Sequence, residues 1–404
     1  MNDDARAIGR RVRYWRLRRD LDRKRFADMV GRSTSWLDKV EKGERALVRL
    51  PMLDRVAEVL GIDPTALTDD AEAPRAAHCV DAVEVDAIRA ALGRYPGVSV
   101  GVDKPVGTSG IIKQAAYLDQ AWLSSHFTVV ARHLPVLMGD AQTAVLAAGG
   151  AEQIDAHRVL VTTYRLASSM LLKFEATHIA WLAADRAMHA ALAIDDTWSM
   201  ARATRSVARA MTSSGQRVEA VTTLVDMADW MRSELPAYES SLLSLYGMLH
   251  LAASITAAEQ GDAALAYDMH EEALAAANRM APGFATHHTC FGVANVLIHR
   301  VAALVRLREA GRAVEFASGI DRTAVAVLSP ERRASLLLDL TEAHTRLGNY
   351  RDAAHLLGQA ERIASEEVRC RPLAHGLLRS LLGRTSGDTA LLVKRMADRA
   401  GVAI

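Results

Sequence analysis

From residue 5 to residue 68 apolar positions recur at helical spacing in short bursts, each closed by a polar or glycine signal. In ARAIGRRVRYWRLRRD, Ile8, Val12 and Trp15 fall at i, i+4 and i+7, one buried stripe with arginines around it. Asp22 is placed to cap a second helix, RKRFADMV, and Gly31 to end it in a left-handed turn. Ser33 is placed to cap a third, TSWLDKVEK, which stops at Gly43 and turns Leu37 and Val40 inward. Pro51 suits the first turn of a fourth helix, PMLDRVAEVLG, and Asp63–Pro64 opens a short fifth, DPTAL.

The pattern breaks over residues 69–110. DDAEAPRAAHCVDA is small and polar, VEVDAIRAALGRY is amphipathic, and PGVSVGVDKPVGTSG is rich in glycine. A phosphate-binding loop ends in Gly-Lys-Ser/Thr, whereas here Lys104 precedes Pro105 with no hydroxyl after it. GVDKPVGTSG therefore reads as a flexible loop. The expected organisation is a domain over 1–70, a linker with one short helix over 71–110, and a third segment over 111–404.

From 111 the helical period hardly stops. Punctuation comes at Gly139, Gly149–Gly150, Asp195-Asp196, Gly215, Pro236, Gly261, Pro282, Gly311, Pro330 and Gly348. GQRVEAV from 215, GDAALAY from 261, GRAVEFA from 311 and GNYRDAA from 348 share a frame: a Gly turn leading into an amphipathic helix. Each follows a long apolar helix, as antiparallel helix pairs stacked into a solenoid do. Ala180, Ala183, Ala184 and Ala187 are small enough to let neighbouring helices approach closely.

Composition supports an all-α fold. Half of the 404 residues are apolar but only 5% are aromatic, so the core is built mainly from Ala, Leu and Val. Cys79, Cys290 and Cys370 are too few and too far apart for a disulfide framework, which points to a reducing compartment. The start MNDDARAIGRRVRYWR lacks the apolar core of a signal peptide, and no run of 18 apolar residues occurs, so a cytoplasmic location is expected. Net charge is +1 but uneven. Residues 1–55 hold sixteen Arg and Lys against nine Asp and Glu, a net +7, leaving −6 for the rest. A basic end on an acidic body suits a polyanion at that end alone.

Two short helices joined by a Gly-containing turn form a helix-turn-helix. The five-helix layout resembles the phage-repressor or Xre family over about residues 5–68. The resemblance rests on Ile8-Gly9, Arg16, Phe26-Ala27, Gly31-x-Ser33, Leu37 with Val40, Glu41-x-Gly43, Leu53, Ala57, Leu60 and Asp63-Pro64-x-x-Leu67. It implies a third helix lying in the DNA major groove, with Ser33, Thr34, Ser35 and Lys39 at the base edges. A glutamine usually opens the family's second helix and anchors a phosphate. Arg23 stands there instead, with Lys24 beside it, so the anchor becomes ionic. Lys42, Arg45 and Arg49 would hold phosphates from the following loop. Arg16 and Glu41 occupy the positions of a buried ion pair. Trp36 departs from the small or polar residue of the family, and would pack on the second helix or lie along the DNA backbone.

The later segment resembles degenerate tetratricopeptide repeats, best in LTEAHTRLGNYRDAAHLLGQAERI (340–363). An Xre domain joined to such repeats resembles a bacterial regulator architecture in which the repeats bind a signalling peptide and alter dimer geometry. AWLAADRA and the Ala/Arg-rich composition are similar to actinobacterial members, whose ligands are open. The resemblance implies a homodimeric transcription regulator bound to double-stranded operator DNA, sensing a peptide, small molecule or protein. The alternative is a protein-interaction adaptor with weak or vestigial DNA binding.

Other chemistry is weakly signalled. His287-His288-Thr289-Cys290 gathers soft ligands near His299, but no HExxH and no paired CxxC occurs. His270-Glu271-Glu272 lacks a second histidine, and no G-x-S-x-G elbow is present. No metal, cofactor or catalytic residue is expected. Trp181, Arg186, Trp198, Arg202, Trp230 and Tyr246 read equally as lining a concave face or as ordinary core and surface residues.

Overall fold

The computed structural model describes residues 2–19, 21–47, 50–60, 62, 64–68, 80, 82–95, 107–234, 240–280 and 290–402. All regular structure among them is helical. The chain divides into two compact units, Met1–Cys79 with Arg399–Ala403, and Val80–Asp398 with Ile404.

The first unit contains α1 (Asn2–Arg18), α2 (Arg23–Val30), α3 (Thr34–Glu41), α4 (Leu50–Leu60) and α5 (Thr65–Thr68). Local chemistry sets these limits. The Asp22 carboxylate accepts from the Arg25 N–H at 2.8 Å and starts α2. Gly31, at φ +72°, ends it: the Arg32 N–H reaches back to Ala27 O at 2.8 Å. The Ser33 hydroxyl accepts from the Trp36 N–H at 3.2 Å and starts α3. Val12, Phe26, Leu37, Val56 and Leu60 form the fully buried centre, with Ile8, Trp15 and Trp36 partly buried around it. Gly9 is where α1 meets α3: a Cβ there would stand 2.1 Å from Val40 O. Part of the basic charge is structural. Arg11 donates to Leu67 O at 3.2 Å and Arg19 to Leu60 O at 2.7 Å, satisfying carbonyls at helix ends. Arg49 and Asp63 lie outside the described residues.

The second unit runs through α6 (Ala82–Leu92), α7 (Thr108–Leu123), α8 (Phe127–Ala147), α9 (Gly150–Lys173), α10 (Thr177–Leu192), α11 (Thr197–Ser213), α12 (Arg217–Glu234), α13 (Ser240–Gln260), α14 (Ala263–Asn278), α15 (Val293–Arg306), α16 (Ala310–Ser318), α17 (Arg322–Ala326), α18 (Pro330–Arg346), α19 (Tyr350–Ile363), α20 (Ser365–Arg369), α21 (Pro372–Leu381) and α22 (Gly387–Ala400). Successive helices pack as hairpins: α7 on α8, α9 on α10, α11 on α12, α13 on α14, α15 on α16, α18 on α19. The fold is thus all-α, a helix-turn-helix domain followed by a tetratricopeptide-like helical repeat. Its apolar clusters follow chain order, one spanning residues 80–203, the next 201–296 and another 298–343. Ala180, Ala183, Ala184 and Ala187 are buried in α10, which packs on α9 and α11. Ile88 and Leu92 of α6 belong to the first of these clusters.

Two glycines read as breaks lie inside helices: Gly139 in α8 and Gly311 in α16. The turn before α16 is made by Arg308, at φ +63°. Its neighbour Glu309 donates to Leu304 O at 2.9 Å, the same closure that Asp262 makes to Ala257 O at 3.0 Å after Gly261. The turns at 215, 261, 308 and 348 therefore follow one another at 46, 47 and 40 residues. Ser125, Glu175 and Asp195 also turn with positive φ and no glycine. The glycines at 97 and 101, Lys104–Pro105, Pro236 and Pro282 lie outside the described residues.

One set of helices, α7, α9, α11, α13, α15 and α18, touches in succession, and α18 returns to α7. Polar ties close this ring. Thr128 Oγ1 donates to Glu366 at 2.8 Å and Ser125 Oγ to Glu367 at 3.3 Å. Lys173 of α9 donates to Glu331 at 2.8 Å and to Glu367 at 2.5 Å. A purely nearest-neighbour solenoid has no such bonds, so the repeat unit differs from that expectation. α13 is long and apolar enough to cross a membrane, but 78% of its apolar window is buried inside this unit.

Candidate nucleic-acid interface

The surface formed by α2, the turn at Gly31 and α3 carries most of the DNA-contact candidates. Helical spacing sorts α3 into two faces. Leu37, Val40 and Glu41 are buried, while Thr34, Ser35 and Lys39 are exposed. Ser33 is exposed at the N-terminus of α3 with its oxygen committed to the cap, which leaves its O–H free to donate. Arg23 and Lys24 open α2 and are exposed, as are Lys42 and Arg45 beyond α3. Asp28, Gly31, Arg32, Ser33, Trp36 and Arg45 line an open, polar hollow of about 530 Å³ beside the turn.

Beneath this surface Arg16 of α1 grips Glu41 of α3. Arg16 Nε is 2.6 Å from one carboxylate oxygen and Nη2 3.3 Å from the other, with the side chains 5% and 2% exposed. Arg16 Nη1 also donates to Leu21 O at 2.7 Å. This fork holds the end of α3 against α1 and against the chain entering α2. A bidentate, fully bonded pair fixes register more than it adds net stability.

The ion pairs around Asp38 were not anticipated from the sequence. Asp38 lies on the exposed side of α3 and accepts from Lys42 Nζ at 2.7 Å, with Arg23 Nη2 at 3.7 Å. Arg23 Nε also stands 3.5 Å from Glu41. Arg23 and Lys42 are thus both held at one carboxylate. The hydrogen bond from Lys42 holds the Asp38 carboxyl below its ordinary range, and the same bond raises the Lys42 ammonium. The i, i+4 spacing of Asp38 and Lys42 was the signal available. Trp36 packs partly against the core of this unit, with the Arg32 guanidinium 5.9 Å from its ring centre.

The remaining sequence candidates are dispersed. Among the described residues no three His, Cys, Asp or Glu side chains converge as a metal site would require, and His287 and His288 lie outside those residues. Arg202 is buried, stacked 4.2 Å over Trp198 and bonded to Thr162 Oγ1 at 3.0 Å. Arg186 lies 4.8 Å over the Tyr95 ring, and Tyr246 donates to Glu272 at 3.3 Å.

A family model described as a helix-turn-helix domain matches residues 7–70. No curated protein matches the chain. Among solved structures, the crystal structure of Bacillus thuringiensis PlcR in complex with the peptide PapR7 and DNA is similar over 90% of this chain and 98% of that one. Identity is 10% and the TM-score 0.28, too distant a likeness to carry fold or function across.

Proposed function

Proceeding from the helix-turn-helix domain at residues 7–70, we propose that the protein is a sequence-specific DNA-binding transcription regulator of the Xre type, actinobacterial in kind, and acts in the cytoplasm. The observation that carries this reading is the two-faced α3. Leu37, Val40 and Glu41 anchor it to α1, and Thr34, Ser35 and Lys39 stand clear of the core. In the major groove Lys39 would reach guanine O6 and N7, while Ser33, Thr34 and Ser35 add less selective hydrogen bonds. Asp38 would accept from cytosine N4 once phosphates draw Arg23 and Lys42 away from it. Arg23, Lys24, Lys42, Arg45 and Arg49 would bind phosphates and set the register.

One such domain reads a half-site, so useful selectivity calls for a homodimer on a two-fold-related operator. The helical unit would supply the dimer contact and sense a ligand or partner. Selection of genomic fragments by the full chain at physiological salt, with residues 80–404 as control, tests the reading. Enrichment of a two-fold-related motif by the full chain alone supports it. Equal recovery by both proteins, or no enriched motif, counts against it.

A further inference from the structure

One group of side chains on α7, α9, α11, α18 and α20 of the second unit holds more positive charge than it pairs. Asp119 of α7 faces both Arg165 of α9 and Arg202 of α11, the latter at 3.5 Å. Glu331 of α18 takes Lys173 at 2.8 Å and has Arg332 Nε at 3.2 Å. Glu367 of α20 takes Lys173 at 2.5 Å and Arg371 at 2.6 Å. Three carboxylates thus serve five cations.

α11 adds two more. Arg205 and Arg209 stand three and seven residues beyond Arg202 and share its face of the helix. Arg209 reaches the Ser169 hydroxyl at 3.2 Å. Arg205 makes no hydrogen bond or ion pair among the described residues, and its Nε is buried without a partner. The Nε atoms of Arg165 and Arg371 are likewise buried and unbonded.

Burial together with Arg209, Arg332 and Arg165 pushes the Arg205 guanidinium well below its ordinary range. Burial and the neighbouring arginines push Arg202 down to about 9 and Arg209 to about 10. An arginine keeps its proton in a protein, so this crowding is relieved by an anion rather than by proton loss. Desolvating charge without a counter-charge is costly. The Arg165, Arg371 and Arg332 side chains remain 12%, 15% and 20% exposed, so the cluster is open to solvent at its edge.

We propose that this cluster binds a compact oxyanion carrying two or more phosphate or carboxylate groups, with Arg205 and Arg209 of α11 and Arg332 of α18 as its principal ligands. Seven cations against three carboxylates leave an excess of four, which a singly charged ion does not offset. Guanidinium forks match the paired oxygens of both groups. The site gives a chemical class to the ligand of the sensing role above, and rests on that reading for its biological part only.

The test is calorimetric titration and thermal unfolding of the full chain at fixed ionic strength, with pyrophosphate and with citrate. One of them is expected to bind saturably at one site per chain and to raise the melting temperature; which one does so assigns phosphate or carboxylate. Arg205→Gln should weaken that binding about 10- to 100-fold, the range for a charged hydrogen bond. It should leave the ligand-free melting temperature unchanged or higher, because a half-buried guanidinium whose Nε has no partner is removed. Arg209→Lys, which keeps the charge but loses the fork, should also weaken binding. Absence of saturable binding by either anion, or binding by both variants as tight as the parent's, overturns the proposal. Because no DNA enters these measurements, their outcome is separate from that of the operator search.

Discussion

Glu41 is the residue on which the first unit's geometry converges. It lies 2% exposed, takes both arms of the Arg16 fork and has Arg23 Nε at 3.5 Å. Removing only the carboxylate strands a buried guanidinium, and Glu41→Ala should cost about 3–5 kcal/mol in denaturant unfolding of the first unit. The double replacement Arg16→Met with Glu41→Leu should cost clearly less, because neither charge is then left unpaired. Equal losses for the single and the double variant would mean that the pair is not desolvated as its geometry indicates. Asp38 has the opposite character. It is half-exposed and its ion pairs with Lys42 and Arg23 are exchangeable, so phosphate oxygens can replace it without disturbing the core.

At the level of elements, the turns divide into two chemical kinds. Gly215, Gly261 and Gly348 take positive φ without a Cβ penalty, whereas Glu175, Asp195 and Arg308 take it with one. Arg308→Gly should therefore raise the stability of the second unit by up to about 1 kcal/mol, and Gly261→Ala should lower it by a similar amount. Paired thermal melts check both signs. The same contrast explains what was legible in the sequence. The start of α2 at Arg23 and of α3 at Thr34, and the stop at Gly31, were readable because Asp22, Ser33 and Gly31 act within a few residues. Gly139 was misread as a break, because a glycine inside a helix costs only about 1 kcal/mol and the long packed α8 absorbs it, whereas Gly311 lies in the first turn of α16, three residues beyond the turn at Arg308. Arg308 gave no signal at all, since nothing in an arginine marks a left-handed turn. The exposed face of α3 was legible from periodicity. The hold of Asp38 on Arg23 was not, because it joins two helices. The return of α18 to α7 was also hidden, since repeat spacing reports only neighbours.

For the whole molecule, acid sensitivity follows from its histidines. Burial pushes His157, His250 and His270 below the ordinary imidazole range, and burial with nearby Arg332 pushes His299 down to about 3. The unfolded chain takes up these protons near pH 6.5 and the folded chain does not. Stability is therefore complete above about pH 6.5 and declines as pH falls toward the folded values. The slope is at most about 1.4 kcal/mol per pH unit for each such group. Melting temperatures between pH 7.5 and 5 should fall, and His299→Asn should flatten the decline; a flat profile for the parent protein would show that these imidazoles protonate freely when folded.

DNA recognition is the claim on which the functional account rests, and it divides labour between α3 and its surroundings. On a fragment selected by the full chain, binding should be titrated against salt beside a scrambled duplex, for the parent protein, Lys39→Ala and Arg23→Ala. Lys39→Ala should narrow the gap between selected and scrambled DNA by about 1–3 kcal/mol. Arg23→Ala should weaken both duplexes alike and reduce the salt slope by about one. Identical behaviour of the two variants, or a parent protein that binds both duplexes equally, would contradict the assignment of base reading to α3 and of phosphate anchoring to Arg23.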